Sequence, residues 1–201
     1  MIIPWIRHKK SFKGKSDTRK LTRPRRLTCE SLEQRRVLAS VISEIFATNN
    51  DTDQYFELRG TPGSTIANGT YFTVVEGWGA VPGGRGYIHS VVDLSGLTFG
   101  SNGFLVVAPF NHPHQIDANS ASLISTSTGF SGLPSNRWSD ASTISDRFAH
   151  VFIAANFLLV QTSTKPVPGT DIDADDNGSI DGLAAGWSIL DSAGLLGRTA
   201  T

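Results

Sequence analysis

VISEIFATNNDTDQYFELRGTPGSTIANGTYFTVVEG, residues 41–77, and VVDLSGLTFGSNGFLVVAP, residues 91–109, decide the fold class. Their apolar runs are short, rich in β-branched and aromatic residues, and each is halted by Gly, Pro, Asn or Asp, which is the signature of an antiparallel β fold. Ile42, Glu44 and Phe46 alternate, a polar loop follows at Asn49–Asp53, and the chain resumes at Tyr55–Leu58. Two strands joined by an acidic loop is the simplest reading. Pro62-Gly63 and Asn68-Gly69 are turn dipeptides. Asn-Gly directly before Tyr71–Val75 predicts a hairpin, because both residues tolerate positive φ. Asp93 is expected to close the turn at Ser95-Gly96 through local side-chain to backbone bonding.

Beyond this stretch the pattern changes twice. Residues 110–143, FNHPHQIDANSASLISTSTGFSGLPSNRWSDAST, are low in large apolar side chains and rich in Ser, Thr, Asn and Gly, so a long surface excursion is predicted. FAHVFIAANFLLVQT, 148–162, is then the densest apolar run, and NFLLVQ reads as a central strand buried on both faces. The longest apolar run, 151–160, is broken by Asn156 and falls short of the roughly 18 residues a membrane-spanning helix needs.

The net charge of zero conceals two opposite segments. Residues 1–40 carry 12 of the 18 Lys and Arg against Asp17, Glu30 and Glu33, a balance of +9. Residues 41–201 carry 15 acids against Arg59, Arg85, Arg137, Arg147, Lys165 and Arg198, a balance of −9. The organisation is therefore a basic leader, 1–40, and an acidic body, 41–201. An acidic body repels a phosphate backbone, whose binding depends on Lys and Arg displacing counterions, so nucleic acid is a poor partner for it. The only cysteine, Cys29, lies in the leader. Zinc ribbons, cysteine nucleophiles and disulfides are excluded from the body.

Residues 1–26 offer little to bury, and disorder is their expected state. The next segment, LTCESLEQRRVLAS at 27–40, resembles the LExRxLLA-type motif near the start of many exported planctomycete proteins, with Leu27, Glu30, Leu32, Glu33, Arg35, Arg36, Leu38 and Ala39 carrying the likeness. That resemblance implies export and processing near Ala39 or Ser40. A secretory signal of the ordinary kind is not present, since no apolar h-region follows the basic residues.

From Ile42 to Ala108 the sequence ISEI, DQYFELRG, NGTYFTVVEG, VVDLSGLTFG and GFLVVA resembles bacterial lamin-tail domains, in which an "ISEI" strand, a "YIELYN" strand, "VDLSGWTL" and "GGYLVL" follow in that order. Ile42, Glu44, Tyr55, Glu57, Leu58, Asp93, Leu94, Ser95, Gly96, Phe104, Leu105 and Val106 hold the matching positions. The resemblance implies an all-β, immunoglobulin-like β-sandwich, whereas periodicity alone allows a sandwich or a barrel. Trp187, Leu190, Asp191, Ser192, Gly194 and Leu195 extend it towards the C-terminus.

GTDIDADDNGSIDG, 169–182, is the sharpest chemical signal. Asp173, Asp175, Asn177 and Asp181 fall at positions 1, 3, 5 and 9 of an EF-hand-like loop, with Gly178 at position 6, where the chain must turn sharply. Ser179 would offer its carbonyl at position 7, Ile180 would pin the loop, and Asp171 could enter in a shifted frame. Alternating carboxylates converge on one ion because the loop coils around it, so a structural Ca²⁺ is the expected cofactor. Position 12 is Ala184 in place of the bidentate Glu; Asp191 is the distant candidate to complete the ligand set. The competing reading is an acidic turn held by its own Asp and Asn bonds.

Other constellations are weaker. GWGAVPGGRGYIH, 77–89, is glycine-rich but lacks the Lys-Ser/Thr of a phosphate-binding loop and reads as a flexible hairpin. Glu44 and Glu57 sketch a carboxylate pair for acid–base work. His112 and His114, with His89 and Asp117, sketch a metal site without the spacing such sites use. No Gly-x-Ser-x-Gly elbow occurs. The expected function is thus an exported, non-catalytic module, calcium-stabilised, extracellular or at the cell surface, engaging an unnamed surface or matrix partner. The alternatives are an accessory domain of a nuclease or phosphoesterase system and nucleic-acid binding through the leader.

Overall fold

The computed structural model describes residues 40–48, 50–77, 86–141 and 154–195. Nine strands follow in chain order among them: β1 Ser40–Phe46, β2 Tyr55–Gly60, β3 Thr70–Glu76, β4 Ile88–Asp93, β5 Phe104–Ala108, β6 Ala121–Ile124, β7 Trp138–Asp140, β8 Ala155–Gln161 and β9 Ser188–Leu195. Short 3₁₀ turns at Phe130–Gly132, Pro134–Asn136 and Gly182–Gly186 are the only helical elements described. The strands form two sheets, ordered β1-β2-β5-β6 and β7-β4-β3-β8-β9. The molecule is an all-β sandwich. With β1-β2-β5 as A-B-E and β9-β8-β3-β4 as G-F-C-C′, the order is that of an immunoglobulin-like fold.

Residues 1–39 of the leader, the glycine-rich residues 78–85 and the first part of the apolar run, 148–153, lie outside the described residues, and Ser40, the last leader residue, already belongs to β1. The remainder, NFLLVQ, is β8, flanked by β3 and β9 and buried on both faces at Leu158 through Val160. Inner-face side chains make one core. Phe56 of β2 stacks on Phe72 of β3 with ring centroids 3.9 Å apart, and Phe72 in turn faces Phe157 of β8 at 6.0 Å. Burial of each such ring is worth about 1.5–3 kcal/mol. A second, smaller apolar cluster covers the outer face of the five-stranded sheet, with Tyr71, Val75, Val91, Leu158 and Val160 packed under Ile172 and Ala184.

Three sequence expectations are corrected. Asn68-Gly69 does not form a hairpin: β2 lies in one sheet and β3 in the other, so residues 61–69 cross between layers. Gly69 does take positive φ, +78°, and a Cβ there would collide with the carbonyl oxygen of Thr162, so the glycine serves a close approach to the end of β8. The excursion at 110–143 is more than surface. It supplies β6 and β7, the outer strands of the two sheets, and buries Phe130 and Leu133 in the main core. Finally, β1 does not alternate simply. A bulge between Ile42 and Glu44 breaks the period, so Ile42 and Ile45 pack on the core while Phe46 is 41% exposed. The turn at Ser95-Gly96 is as expected, since the Ser95 amide donates to Asp93 Oδ1 at 2.9 Å.

One connection is parallel. β5 and β6 run side by side in the same direction, so the chain must return along the sheet between them. Residues 109–120 make that return over the outer face of the four-stranded sheet, where Val106 and Ala108 are buried although they point away from the core.

Candidate metal centre

The Asp-rich loop leaves β8, runs across the outer face of the five-stranded sheet and returns as β9. Its backbone is tied to the sheet before the acids begin. The Ile88 amide donates to the Thr170 carbonyl at 2.9 Å, the Ile172 amide to the Gly86 carbonyl at 3.0 Å, and Tyr87 and Asp171 form an isolated bridge. Ile172, 2% exposed, is the apolar anchor, and Ile180 packs beside it. The segment between these two isoleucines is therefore forced to arch away from the sheet.

Within the arch the side chains organise the backbone. Asp173 accepts the Asn177 amide at Oδ1, 3.0 Å, and the Gly178 amide at Oδ2, 2.8 Å. Asp175 Oδ2 accepts from Asn177 Nδ2 at 2.7 Å, Asn177 Oδ1 accepts the Ser179 amide at 2.8 Å, and Asp181 Oδ1 accepts the Ala174 amide at 3.3 Å. Asp176 and Gly178 turn the chain with φ of +56° and +83°. Gly178 stands at the sharp turn anticipated for position 6.

Asp173, Asp175 and Asp181 each bring one carboxylate oxygen to within 4.8 Å of the others. Oxygens that share one Ca²⁺ at about 2.3–2.6 Å lie no more than about 5 Å apart, so this spacing fits such an ion. Three like charges that close repel by about 1 kcal/mol per pair even in bulk water, a cost that a cation removes. Of the other residues in the frame, Asn177 and Ser179 belong to the same arch, and the Asn177 side chain is engaged with Asp175 and Ser179. Asp171 stands apart. Its Oδ1 accepts the Asp173 amide at 3.0 Å and so shapes the approach to the loop.

Position 12 is closed to a ligand for a structural reason: the 3₁₀ turn Gly182–Gly186 drives Ala184, 2% exposed, into the outer apolar cluster. Asp191 does not complete the set. It sits on β9, where its Oδ2 accepts the Ile42 amide at 2.7 Å and its Oδ1 accepts the Ser192 amide.

The histidine and glutamate candidates divide between two places. Glu44 and Glu57 are direct cross-strand partners on β1 and β2. They share a cleft on the outer face of the four-stranded sheet with Tyr55, His112, His114 and Asp117. His89 is elsewhere, buried on β4 with Nε2 3.8 Å from Glu76 Oε1. Burial pushes the Glu76 carboxyl above its ordinary range. That buried pair was not legible in the sequence, where 13 residues separate its members and β3 and β4 had not been placed in register. Among the described residues, the three aspartates are the only cluster of three or more His, Cys, Asp or Glu whose ligand atoms are close enough to share an ion.

No protein-family model matches the chain, and no curated protein matches it.

Proposed function

We propose that the body is an exported, non-catalytic sandwich module of the lamin-tail type whose Asp-rich loop takes up one structural Ca²⁺, and that it works in adhesion at the cell surface or in an extracellular matrix. The observation that carries the metal reading is the convergence of Asp173, Asp175 and Asp181 in a loop pinned at one end by the buried Ile172 and at the other by the partly buried Ile180. Asn177 and the Ser179 carbonyl are the neighbouring oxygen donors. The bound ion would supply charge neutralisation and fix the arch on the outer face of the sheet. Export and surface location are supported by the LExRxLLA-type segment, and the lamin-tail assignment by the ordered run of motifs from Ile42 to Ala108.

Thermal unfolding of the full chain in millimolar Ca²⁺, Mg²⁺ or chelator tests the metal reading. Calcium at about 100 times its dissociation constant stabilises by about 2.7 kcal/mol. Magnesium, which demands a tighter octahedron and dehydrates reluctantly, gives a smaller effect. Asp173→Asn and Asp181→Asn abolish the calcium-dependent rise. A melting temperature indifferent to calcium in the unsubstituted protein overturns the metal reading. Recovery of the body only inside cells expressing it in its native host overturns export.

A further inference from the structure

We infer that Asn68 is a site of spontaneous chemical modification: the main-chain nitrogen of Gly69 attacks its side-chain amide, and the fold leaves this pair open while holding the chain's other Asn-Gly pairs shut. Asparagine followed by glycine occurs at 68–69, 102–103 and 177–178. Glycine in second place makes the reaction reachable, because the absence of Cβ lets the nitrogen come close to the neighbouring side-chain carbonyl carbon. The sequence gives the three pairs equal standing.

The steps balance with water as the co-reactant. The Gly69 N–H gives its proton to solvent and the nitrogen bonds to Asn68 Cγ. The Cγ–Nδ2 bond breaks, ammonia leaves, and a five-membered succinimide closes. Water then opens the ring on either side. Cleavage at Cγ leaves aspartate, whereas cleavage at the main-chain carbonyl leaves isoaspartate, in which the chain runs through Cβ and Cγ and is longer by one carbon. Both products add a negative charge.

What separates the three pairs is how the fold holds their reacting groups. Asn102 donates from Nδ2 to Ser120 Oγ at 2.8 Å and accepts the Phe104 amide at Oδ1, 3.1 Å, while the Gly103 amide donates to the Gly100 carbonyl at 2.9 Å. Asn177 is held alike, by Asp175 and the Ser179 amide, with the Gly178 amide on Asp173 Oδ2. Asn68 is exposed, and its side chain makes no bond among the described residues. An exposed side chain of this kind changes rotamer within nanoseconds, so Cγ samples the approach to the nitrogen. The bond that restrains the pair is on the nucleophile: the Gly69 amide donates to Ser95 Oγ at 3.0 Å. The consequence falls where the chain crosses between the sheets. The Gly69 carbonyl accepts the Thr162 amide at 2.9 Å, and an added carbon at residue 68 displaces that bond.

The test is incubation of the folded full-length protein at mildly alkaline pH, followed by peptide mass mapping and labelling with an isoaspartate-specific methyltransferase. Conversion at Asn68 is expected to run about tenfold or more ahead of Asn102 and Asn177, since two side-chain bonds of ordinary strength must break first at each of those. In urea, where the fold is gone, the three pairs convert at similar rates. Ser95→Ala keeps the bonds that residue 95 makes through its backbone with Asp93 and Arg137, frees the Gly69 amide, and speeds conversion of Asn68 in the folded protein about fivefold. Asn68→Gln is expected to melt higher than the parent after both have been aged in this way. Equal rates at the three pairs in the folded chain, a lead taken by Asn102 or Asn177, the same lead for Asn68 in urea, or an Asn68 rate indifferent to Ser95→Ala overturns the inference.

Discussion

Each sheet of this sandwich has an outer face covered by a loop, and the two covers are built with opposite polarity. Over the five-stranded sheet the loop 171–187 presses Ile172, Ile180 and Ala184 onto an apolar surface, and its carboxylates face out. Over the four-stranded sheet the loop 109–120 runs past Glu44, Tyr55 and Glu57, so the carboxylates belong to the sheet, with His114 against the Tyr55 ring and Glu44 left exposed. The first cover holds itself down by burial and concentrates charge where a small ion can reach it. The second leaves a cleft beside charges that belong to the sheet. An antiparallel sheet with one solvated face permits either solution.

The largest expected effect removes the platform that both covers share. Phe72→Ala deletes the ring between Phe56 and Phe157 and costs about 3–5 kcal/mol in urea unfolding. The calcium response then vanishes at temperatures where the unsubstituted protein retains it. Next comes Ile172→Ala, which frees one cover only. A loss of about 2–4 kcal/mol is expected, and the calcium-dependent rise in melting temperature is lost with it. Should Ile172→Ala leave the calcium-dependent rise intact, the arch does not depend on its apolar anchor.

Smaller effects sharpen the contrast. Gly69→Ala forces a side chain into positive φ against the Thr162 carbonyl and destabilises by about 1–3 kcal/mol without altering the calcium response. Glu76 tests the interior between the covers. Its carboxyl is raised by burial, so the folded state holds its proton more tightly than the unfolded state does. This contribution to stability is complete below the unfolded carboxyl range, near pH 4.3, and is lost as pH rises through the higher folded value. Glu76→Gln is therefore expected to raise stability relative to the parent increasingly as pH climbs through that window, and a constant difference from pH 4 to 8 would refute it. The smallest effect is spectroscopic. Glu44→Gln removes a hydrogen-bonded charge from Tyr55, and its phenol titration, followed by ultraviolet absorbance, moves down from about 12 towards the ordinary value of about 10.

What could be read from the chain beforehand follows the range of the contacts involved. The Asp-rich arch was legible because its bonds span only a few residues: Asp173 to Asn177 and Gly178, Asn177 to Ser179. The Asp93 turn and the buried strand at NFLLVQ were local in the same sense. Residues 110–143 misled because β6 and β7 are four and three residues long, too short to show a period, and because the buried Phe130 and Leu133 stand in and just after a short 3₁₀ turn among serines and glycines. Asn68-Gly69 misled because a turn dipeptide says nothing about which sheet receives the next strand. The pairing of Glu44 with Glu57 depends on a bulge at Ser43, which shifts the β1 register by one residue and cannot be seen in strand propensity.

The bond from the Ile42 amide to Asp191 has a further consequence. β1 is an outer strand, and its exposed amides would otherwise offer a template to the strand of another molecule. A carboxylate from the opposite sheet occupies that donor, so the first and last strands of the fold are latched across the open seam. The latch takes that one donor out of the free edge and ties the outer strand of one sheet to the outer strand of the other.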